Sequence, residues 1–475
     1  MIKDMVPLVH FYDQDFVDMY KRSWVWIDEL WKSGTETNGY TGSYLGYPEQ
    51  ETFSQYLHSL ASLFLVYSNQ HNSPFGLLDY FYSKQEANGA IRSEYSVADG
   101  KPVYTAANPE GVAPPLFAYV EFGFYHKIGN KKRLKEIVPI LERHYSWLQA
   151  TFQKPNGLFS VPIEACYTGN IPRKDTFYPL DFNAQLAVFA LYMSAIGDIL
   201  NDKELSFRYK RIYFSLKTRI NSMMWDSKTN FYYDLDKKEQ RVGGKFIGAY
   251  WTLLAEIPND EHAAYMIDQL KDPKEFGTDN PFPSVPVSSP VYSEDGNGYC
   301  GGVVPVNTYM VLKGLEKYDQ FVYARECAIR HMYFILDTLH PDDEKQTGDV
   351  WEAYLPNKEG FSTTKEIAGF PRRRLMPIVG LATITLMIEN IIGLEISLPR
   401  KTVDWKMVSL EEMGIENLSL KRNMITILSN RTERGWEIRL ESEKLYYFTI
   451  KILDEDKQKT LPIPSGKCSM LIDKL

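Results

Sequence analysis

Apolar residues recur at helical spacing over most of this chain, in segments that come in pairs. The clearest segment is residues 55–68, where Leu57, Leu60 and Phe64 fall on one helical face. Ser73-Pro74 opens another helix, which the Asn88-Gly89 turn ends. The same spacing predicts helices at residues 11–33, 55–68, 114–130, 131–152, 181–200, 203–224, 244–256, 260–271, 303–317, 320–338 and 372–393.

Each cycle consists of a helix, a short turn, a second helix and a longer loop rich in Gly, Pro and aromatic residues. Strand patterns between these helices are sparse, and residues 34–54 are predicted to form a long loop. About a dozen helices in alternating pairs can close into a ring, six inside and six outside, with the long loops building a pocket at one end. We therefore expect a mainly α fold, an (α/α)6 toroid; an open helical solenoid is the alternative.

The pattern changes after residue 393. Short runs of alternating apolar and polar residues, such as Trp436–Leu440 and Tyr446–Ile452, are separated by turn residues such as Thr432–Gly435. This alternation predicts a small C-terminal antiparallel β domain with a sandwich-like form. We place the helical domain at residues 1–395 and the β domain at residues 396–475.

Composition and charge exclude several classes of protein. The net charge is −8 and no long basic run is present, so we expect no nucleic-acid partner. No signal peptide and no apolar run of membrane-spanning length is seen, which predicts a cytoplasmic protein without a membrane partner. We expect no metal or other cofactor, and leave the oligomeric state open, a homo-oligomer included. The cysteines show neither metal-ligand spacing nor a disulfide framework: Cys166, Cys300, Cys327 and Cys468.

The most informative chemistry lies in the tetrapeptide Trp351-Glu352-Ala353-Tyr354. Gly348 and Pro356 flank it and predict a loop. Aromatic faces pack on the C–H face of a sugar ring, and a carboxylate between them can exchange a proton with water or with a leaving oxygen. The alternative is a surface loop whose aromatic residues simply pack downward.

The order of motifs resembles the trehalase-like (α/α)6 glycoside hydrolases, and within them the group of mannosylglycerate hydrolase and family 63. The resemblance covers roughly residues 40–395. It depends on Gly301–Leu315, Trp351–Tyr354, the helix from Phe370 to Gly393, and the segments Asn170–Arg173 and Leu180–Gln185. It implies a carbohydrate substrate and a general base at Glu352.

Three positions depart from the family pattern. Gly169 stands where the family carries its general acid, an Asp. The usual Trp-Asp pair is replaced within Ser54–Leu57, and Tyr299-Cys300 stands where a Trp-Arg pair is usual. Inverting hydrolysis needs two carboxyls about 6.5–9.5 Å apart, one of them protonated. An acid from the loop opposite Glu352 must then replace the missing group.

We assign that role to Asp175, with Asp181 and Glu164 as alternatives. Asp181 can instead serve the N-terminus of the helix that follows. Asp175 can instead be a solvated loop charge beside Lys174.

Several further residues are predicted to contact the substrate. Arg173 and Arg372 can each hold an anionic group or sugar hydroxyls, and a structural ion pair is the alternative for both. Core packing is the alternative for Trp251. The complete predicted substrate-binding set is Trp351, Tyr354, Arg173, Gln50, Tyr47, Arg372, Asp181 and Trp251.

Three functions fit this sequence. The first is an inverting glycosidase acting on an α-linked, gluco- or manno-configured sugar with a short or small aglycone. The second is a sugar-binding protein on the same fold whose activity is impaired by Gly169. The third is a sugar epimerase, which ranks last because that chemistry uses paired histidines and the histidines here do not cluster in sequence.

Overall fold

The computed structural model describes residues 6–68, 73–167, 171, 173–339, 348–363, 369–421, 423–454, 457–463 and 465–471. Within them lie twelve α-helices: α1 (Gln14–Glu29), α2 (Gln55–Leu65), α3 (Phe75–Ser83), α4 (Phe117–Ile128), α5 (Lys131–Phe152), α6 (Leu180–Leu200), α7 (Lys203–Arg219), α8 (Trp251–Leu254), α9 (Asp260–Lys271), α10 (Pro305–Glu316), α11 (Phe321–Leu339) and α12 (Met376–Val379). Helix α12 continues as a π-helical segment, Gly380–Ile391.

Nine short strands accompany the helices: β1 (Leu8–Phe11), β2 (Trp31–Ser33), β3 (Ser43–Leu45), β4 (Thr52–Ser54), β5 (Glu94–Ser96), β6 (Trp225–Asp226), β7 (Phe231–Tyr232), β8 (Asp234–Leu235) and β9 (Arg241–Val242). Eight strands follow the last helix: β10 (Leu394–Ser397), β11 (Thr402–Met407), β12 (Met413–Ser419), β13 (Met424–Thr432), β14 (Gly435–Ser442), β15 (Tyr446–Ile452), β16 (Lys457–Ile463) and β17 (Gly466–Leu471). Residues 34–54, predicted as a loop, therefore contain β3 and β4.

Successive helices alternate between two environments. Helix α2 is buried along its whole length, whereas α7 buries a stripe that includes Leu205, Tyr209 and Leu216. A helix that is apolar on all sides lies inside a protein, and an amphipathic helix covers it. The even-numbered helices thus form an inner layer and the odd-numbered helices an outer one.

The inner helices contact one another in sequence order. Helix α2 packs against α4, α4 against α6, α6 against α8, and α8 against α10; the α12 segment contacts both α10 and α2. Two glycines permit close approach between helices. A Cβ atom on Gly380 would collide with the Phe64 ring, and one on Gly314 would lie 2.9 Å from the Leu253 Cβ.

Local polar residues set several helix ends. Gly129 ends α4 in the left-handed conformation, and the Asn130 side chain then accepts a hydrogen bond from the Arg133 N–H at the start of α5. Asn201 and Asp202 make the same junction between α6 and α7. Short connections of this kind hold each outer helix against its inner neighbour.

The C-terminal strands form two sheets, with strand orders β1-β12-β13-β14-β17 and β10-β11-β15-β16. The expected antiparallel arrangement needs one correction, because β11 and β15 run parallel. These two strands are far apart in sequence, so no hairpin constrains their direction. The first sheet also recruits β1 from the N-terminal end of the chain.

Buried contacts dock the C-terminal sheets onto the helices. Trp405 is fully buried, and its indole N–H donates to the Ile392 carbonyl over 2.7 Å. The Leu398 N–H donates to the His126 carbonyl at the end of α4. The second sheet therefore covers the C-terminal ends of the inner helices.

Among the described residues, α6 alone has the length and apolar composition of a membrane span. Of its apolar window, 72% is buried inside the protein, as expected of an inner helix. The cellular location and the oligomeric state stay predictions.

Candidate active site

Two neighbouring segments fix the loop that carries Glu352. The Glu352 N–H donates to the Arg372 carbonyl over 2.9 Å, and the Arg374 N–H donates to the Val350 carbonyl over 2.7 Å. On the other side, Tyr354 and Val303 exchange two backbone hydrogen bonds of 2.9 Å each. The carboxylate thus projects from a backbone that is paired on both sides.

The Glu352 side chain is 1% exposed and receives four hydrogen bonds. Arg372 donates through Nε to Oε2 over 2.7 Å, through Nη2 to Oε1 over 2.6 Å, and through its backbone N–H to Oε2 over 3.2 Å. The Tyr299 hydroxyl donates to Oε1 over 3.0 Å. The Tyr167 hydroxyl lies 3.5 Å from the same oxygen, at the limit of a hydrogen bond.

These partners keep Glu352 ionised. Burial raises the pKa of the Glu352 carboxyl. The hydrogen bonds and the charge of Arg372 lower this pKa by a larger amount, so the net shift is downward. The same pairing raises the pKa of Arg372. Glu352 is therefore a carboxylate at neutral pH, as a general base has to be.

Aromatic side chains surround this ion pair. Tyr167 stacks on Tyr56 with ring centroids 4.3 Å apart, and Arg372 lies over the Tyr47 ring at 5.7 Å. Burial raises the pKa of the Tyr47 hydroxyl, with contributions from the charges of Glu94 and Glu352, while Arg372 lowers it. Both carboxylates therefore act on one hydroxyl.

Tyr56 and Tyr167 also line a cavity of about 170 Å³ beside the ion pair. Two acidic residues line this cavity, Glu94 from β5 and Glu164 from a short 3₁₀ turn. Tyr167 connects it to Glu352 and Arg372, which lie outside its lining. The site thus combines a buried carboxylate, tyrosine rings and two further acidic groups. That combination suits a ligand rich in hydroxyl groups.

Arg173 and Asp181, both predicted to contact the substrate, are instead enclosed in a buried ion network. The Arg173 guanidinium donates to both oxygens of Asp181, at 2.9 Å each, and to both oxygens of Asp234, at 2.7 and 2.8 Å. All three side chains are 2% exposed. Asp234 also accepts the Leu180 N–H at the start of α6. The network therefore anchors the loop before α6.

The general-acid role assigned to Asp175 stays a prediction. Asp175 is exposed, in a turn with a φ of 63°. Gly169 lies outside the described residues.

The other predicted contacts divide between surface and core. Trp351 is half-buried and stacks on Phe361 at 4.2 Å. Tyr354 is fully buried and accepts the Trp351 N–H, and Trp251 is 3% exposed, so both have core positions. Gln50 is half-buried and donates to the Thr52 carbonyl over 3.0 Å. Of this group, Trp351 and Gln50 have partly accessible side chains.

Four residues of the site were not predicted from the sequence: Glu94, Tyr167, Tyr299 and Asp234. Tyr167 lies two residues before Gly169, the position that the resemblance gives to the general acid. Tyr299 lies at a position where the sequence departs from the family pattern, so the sequence marked the neighbourhood of both residues. Glu94 and Asp234 lie in short strands that the helical pattern does not mark. Within the described residues, no group of three or more His, Cys, Asp or Glu side chains is arranged to hold a metal ion.

Paired helices, a C-terminal sheet unit and a buried carboxylate among tyrosines are typical of helical glycoside hydrolases. Residues 76–364 match the model of the mannosylglycerate hydrolase MGH1-like glycoside hydrolase domain, and the chain belongs to this family of glycosidases. Residues 393–475 match the trehalase C-terminal domain.

Individual proteins are also similar to this chain. An uncharacterized protein of Borreliella burgdorferi is 46% identical over the full length of both chains. The GH63 mannosylglycerate hydrolase of Thermus thermophilus, solved with glucose, aligns over 77% of this chain and 99% of its own with a TM-score of 0.60 and 15% identity. The neutral trehalase of Saccharomyces cerevisiae aligns over 74% of each chain with a TM-score of 0.52 and 14% identity. At these identities, the two structures establish the fold alone.

Proposed function

We propose that this protein hydrolyses an α-linked, gluco- or manno-configured glycoside with inversion, using Glu352 as the general base. The observation that carries the proposal is the buried, ionised Glu352 carboxylate beside a tyrosine-lined cavity that holds two more carboxylates. In this proposal the inner helices close an (α/α)6 toroid. Residues 1–395 form the catalytic domain and residues 396–475 the β domain, which β1 joins from the N-terminal side.

For the general acid we propose Glu94 in place of Asp175. Glu94 is half-buried and lines the cavity, whereas Asp175 is exposed. The charges of Glu94 and Glu352 both raise the pKa of the Tyr47 hydroxyl, so both carboxylates lie within electrostatic range of the same group. Glu164 lines the same cavity and is the second choice.

Hydrolysis also requires Arg372 to release Glu352. A carboxylate offers about four acceptor positions, and Arg372 and Tyr299 occupy four on Glu352. A water nucleophile needs one of them. The Arg372 side chain is 38% exposed, so bound substrate can draw the guanidinium away.

The same full set of hydrogen bonds favours the alternative, a sugar-binding protein with impaired catalysis. In that case Arg372 stays on Glu352 while a sugar is bound. The two functions differ in whether a glycosidic bond is broken, so turnover separates them.

The experiment is a panel of aryl α-glucosides, aryl α-mannosides and disaccharides, with proton NMR following the anomer released first. The proposal expects the β-anomer as the first product. In Glu94→Gln, kcat should fall roughly 10²–10⁴-fold on substrates with poor leaving groups. It should change little on dinitrophenyl glycosides, whose leaving oxygen needs no proton.

Asp175→Asn is the matched control and should retain wild-type rates. A selective loss in Glu164→Gln instead would transfer the acid role to Glu164. A first product with retained configuration, or sugar binding without turnover on every substrate, would contradict the proposed hydrolysis.

A further inference from the structure

A second cavity lies at the opposite end of the inner helices from Glu352. It has a volume of about 440 Å³ and is enclosed by the C-terminal ends of the inner helices and by the second C-terminal sheet. Tyr56 lies at the N-terminal end of helix α2, and Leu63, near its C-terminal end, lines this cavity. The 11 residues of α2 span about 16 Å, so the cavity and the Glu352 site are separated by roughly that distance. The volume falls within the range of small-molecule sites, about 300–1,000 Å³.

Alternating charges form the floor of this cavity. Glu389 pairs with Lys127 and, over 2.6 Å, with Lys313. Lys313 pairs in turn with Glu316 over 3.1 Å. The Tyr67 hydroxyl donates to Glu389 over 2.5 Å. These charged side chains are between 11% and 24% exposed, so part of each faces the cavity.

The charges at this cavity are balanced once two carboxylates just outside it are included. Six cationic and four acidic residues line the cavity itself. Just outside, Glu256 pairs with Lys317 over 3.0 Å and Glu411 pairs with Arg325 over 2.6 Å. A charged ligand would therefore leave one charge of the wall without compensation, which is costly in a partly buried site.

Tyrosine rings and one residue with a covered, unpartnered acceptor also belong to the wall. The Tyr119 and Tyr309 hydroxyls lie 3.1 Å apart, and Tyr192 adds another ring. Asn390 is 6% exposed, and its amide nitrogen donates to Glu316 over 2.6 Å. Its Oδ1 is buried without a hydrogen-bond partner, although the residue lines the cavity. A buried acceptor of this kind requires a donor from a ligand or from water.

We propose that this cavity is a second binding site, for a neutral polyhydroxylated molecule such as a sugar or a polyol. Each hydroxyl group both donates and accepts hydrogen bonds, so it complements a wall of alternating ammonium and carboxylate groups. One ligand hydroxyl donates to the Asn390 Oδ1. The tyrosine rings pack on the C–H face of the ligand. The site is separate from the proposed hydrolysis and does not depend on it.

A cavity-filling variant tests the site. Gly123 lies within α4 and lines the cavity, and a Cβ there would meet only the Leu63 Cδ2, at an ordinary 3.8 Å. Gly123→Leu therefore occupies the cavity without a backbone clash. The matched control is Gly76→Leu in α3, which lies outside the cavity and where a Cβ would meet only the Tyr40 hydroxyl, at 4.0 Å. Asn390→Leu, which removes the free acceptor, is the second variant should Gly123→Leu misfold.

Calorimetric titration would use D-mannitol and D-glucose as neutral probes, with D-gluconate and D-glucosamine as charged ones. We expect Gly123→Leu and Asn390→Leu to weaken D-mannitol binding by about tenfold or more, because the cavity is filled or its acceptor removed. Gly76→Leu should bind as wild type, and glycoside hydrolysis should be unchanged in all three variants. A crystal soaked in D-mannitol should show the molecule within hydrogen-bond distance of the Asn390 Oδ1.

Two results would overturn the proposal. One is a soaked crystal in which this cavity holds water alone, together with D-mannitol affinities equal in wild type and Gly123→Leu. The other is binding of D-gluconate or D-glucosamine without binding of either neutral probe.

Discussion

At the scale of single residues, the state of Glu352 is set by Arg372. Three of the four hydrogen bonds that Glu352 accepts come from this one residue, and they lower the pKa of the carboxyl although it is buried. Arg372 was predicted to contact substrate, with an ion pair as the alternative. The ion pair is what the structure contains, and it makes Arg372 a positioning residue for Glu352.

Arg372→Gln should therefore move the acidic limb of the pH profile. Without the guanidinium, burial dominates and the pKa of Glu352 rises above its present lowered value. The general base is then protonated at a higher pH, so the acidic limb of kcat/KM shifts upward. The measurement is kcat/KM against pH for wild type and variant.

Arg373→Gln is the control, because Arg373 contacts Asp349, at 3.9 Å, and not Glu352. Its acidic limb should coincide with that of wild type. An unshifted limb in Arg372→Gln would mean that Glu352 does not set this limb.

The sequence identified Glu352 but not its surroundings. A Glu between aromatic residues in a Gly- and Pro-bounded loop is a local signal. Its partners Tyr299 and Tyr167 lie 53 and 185 residues away in the chain. Which of the many tyrosines reach Glu352 depends on tertiary packing, which periodicity does not encode.

At the scale of elements, ion networks fix the loops that shape the site. Arg173 joins the loop before α6 to β8 through Asp181 and Asp234, and the Phe246 ring covers its guanidinium at 4.1 Å. The sequence motifs did not indicate a role for Asp234. The ion pair that was the alternative for Arg173 is therefore present, and it holds two elements together.

Arg173→Met should destabilise the protein strongly. It leaves Asp181 and Asp234 as uncompensated buried charges, and removing one partner from such a network costs about 3–5 kcal/mol of unfolding free energy. Denaturant unfolding measures this. Lys132→Ala breaks an exposed i,i+4 pair with Glu136 and should cost no more than about 0.5 kcal/mol. Equal effects in the two variants would contradict the structural role.

Helix positions were predictable where local signals are strong. The bounds predicted for α5 and α9 agree with the structure, because Asn130 and Asn259 cap them at clear breaks in the pattern. The last helix was predicted from residue 372 but begins at Met376. Two of its first four predicted residues, Arg372 and Arg374, instead form backbone hydrogen bonds with the Glu352 loop. That pairing joins residues at least 20 apart in the chain, and apolar periodicity does not reveal it.

At the scale of the whole molecule, three of the histidines that the structure describes are buried in the helical layers. Burial lowers the pKa of His58 and His144 to about 4 and that of His331 to about 3. They lie on α2, α5 and α11 rather than in one pair, which agrees with the low rank given to an epimerase.

These histidines should make the fold sensitive to mild acid. The unfolded chain protonates each near its ordinary pKa of 6.5, while the folded chain does so only near 4 or below. The unfolded state then binds more protons, so stability is present above pH 6.5 and is lost as the pH falls. The slope should approach roughly 1.4 kcal/mol per pH unit for each histidine between pH 6 and 5.

His144→Phe checks this prediction. His144 packs against Phe117 and Trp147, so a phenyl ring keeps the packing and removes the titrating group. The slope of unfolding free energy against pH should fall by roughly 1.4 kcal/mol per pH unit between pH 6 and 5. A slope identical to that of wild type would show that His144 does not titrate on unfolding.

The helical body and the C-terminal sheets were predictable from changes in apolar periodicity near residue 393. The parallel pairing of β11 with β15 and the entry of β1 into the first sheet were not. Both join strands that are remote in sequence, and strand alternation carries no information on partners. The ion pairs among Lys127, Lys313 and Glu389 in the second cavity likewise join side chains on separate helices, so periodicity does not predict them.

The most direct test of the whole account is the turnover of Glu352→Gln on dinitrophenyl α-glycosides. These substrates need no general acid, so their hydrolysis reports on the base alone. If Glu352 activates the water, kcat should fall by roughly 10²–10⁴-fold while the sugar still binds. Turnover equal to that of wild type would remove Glu352 from the mechanism.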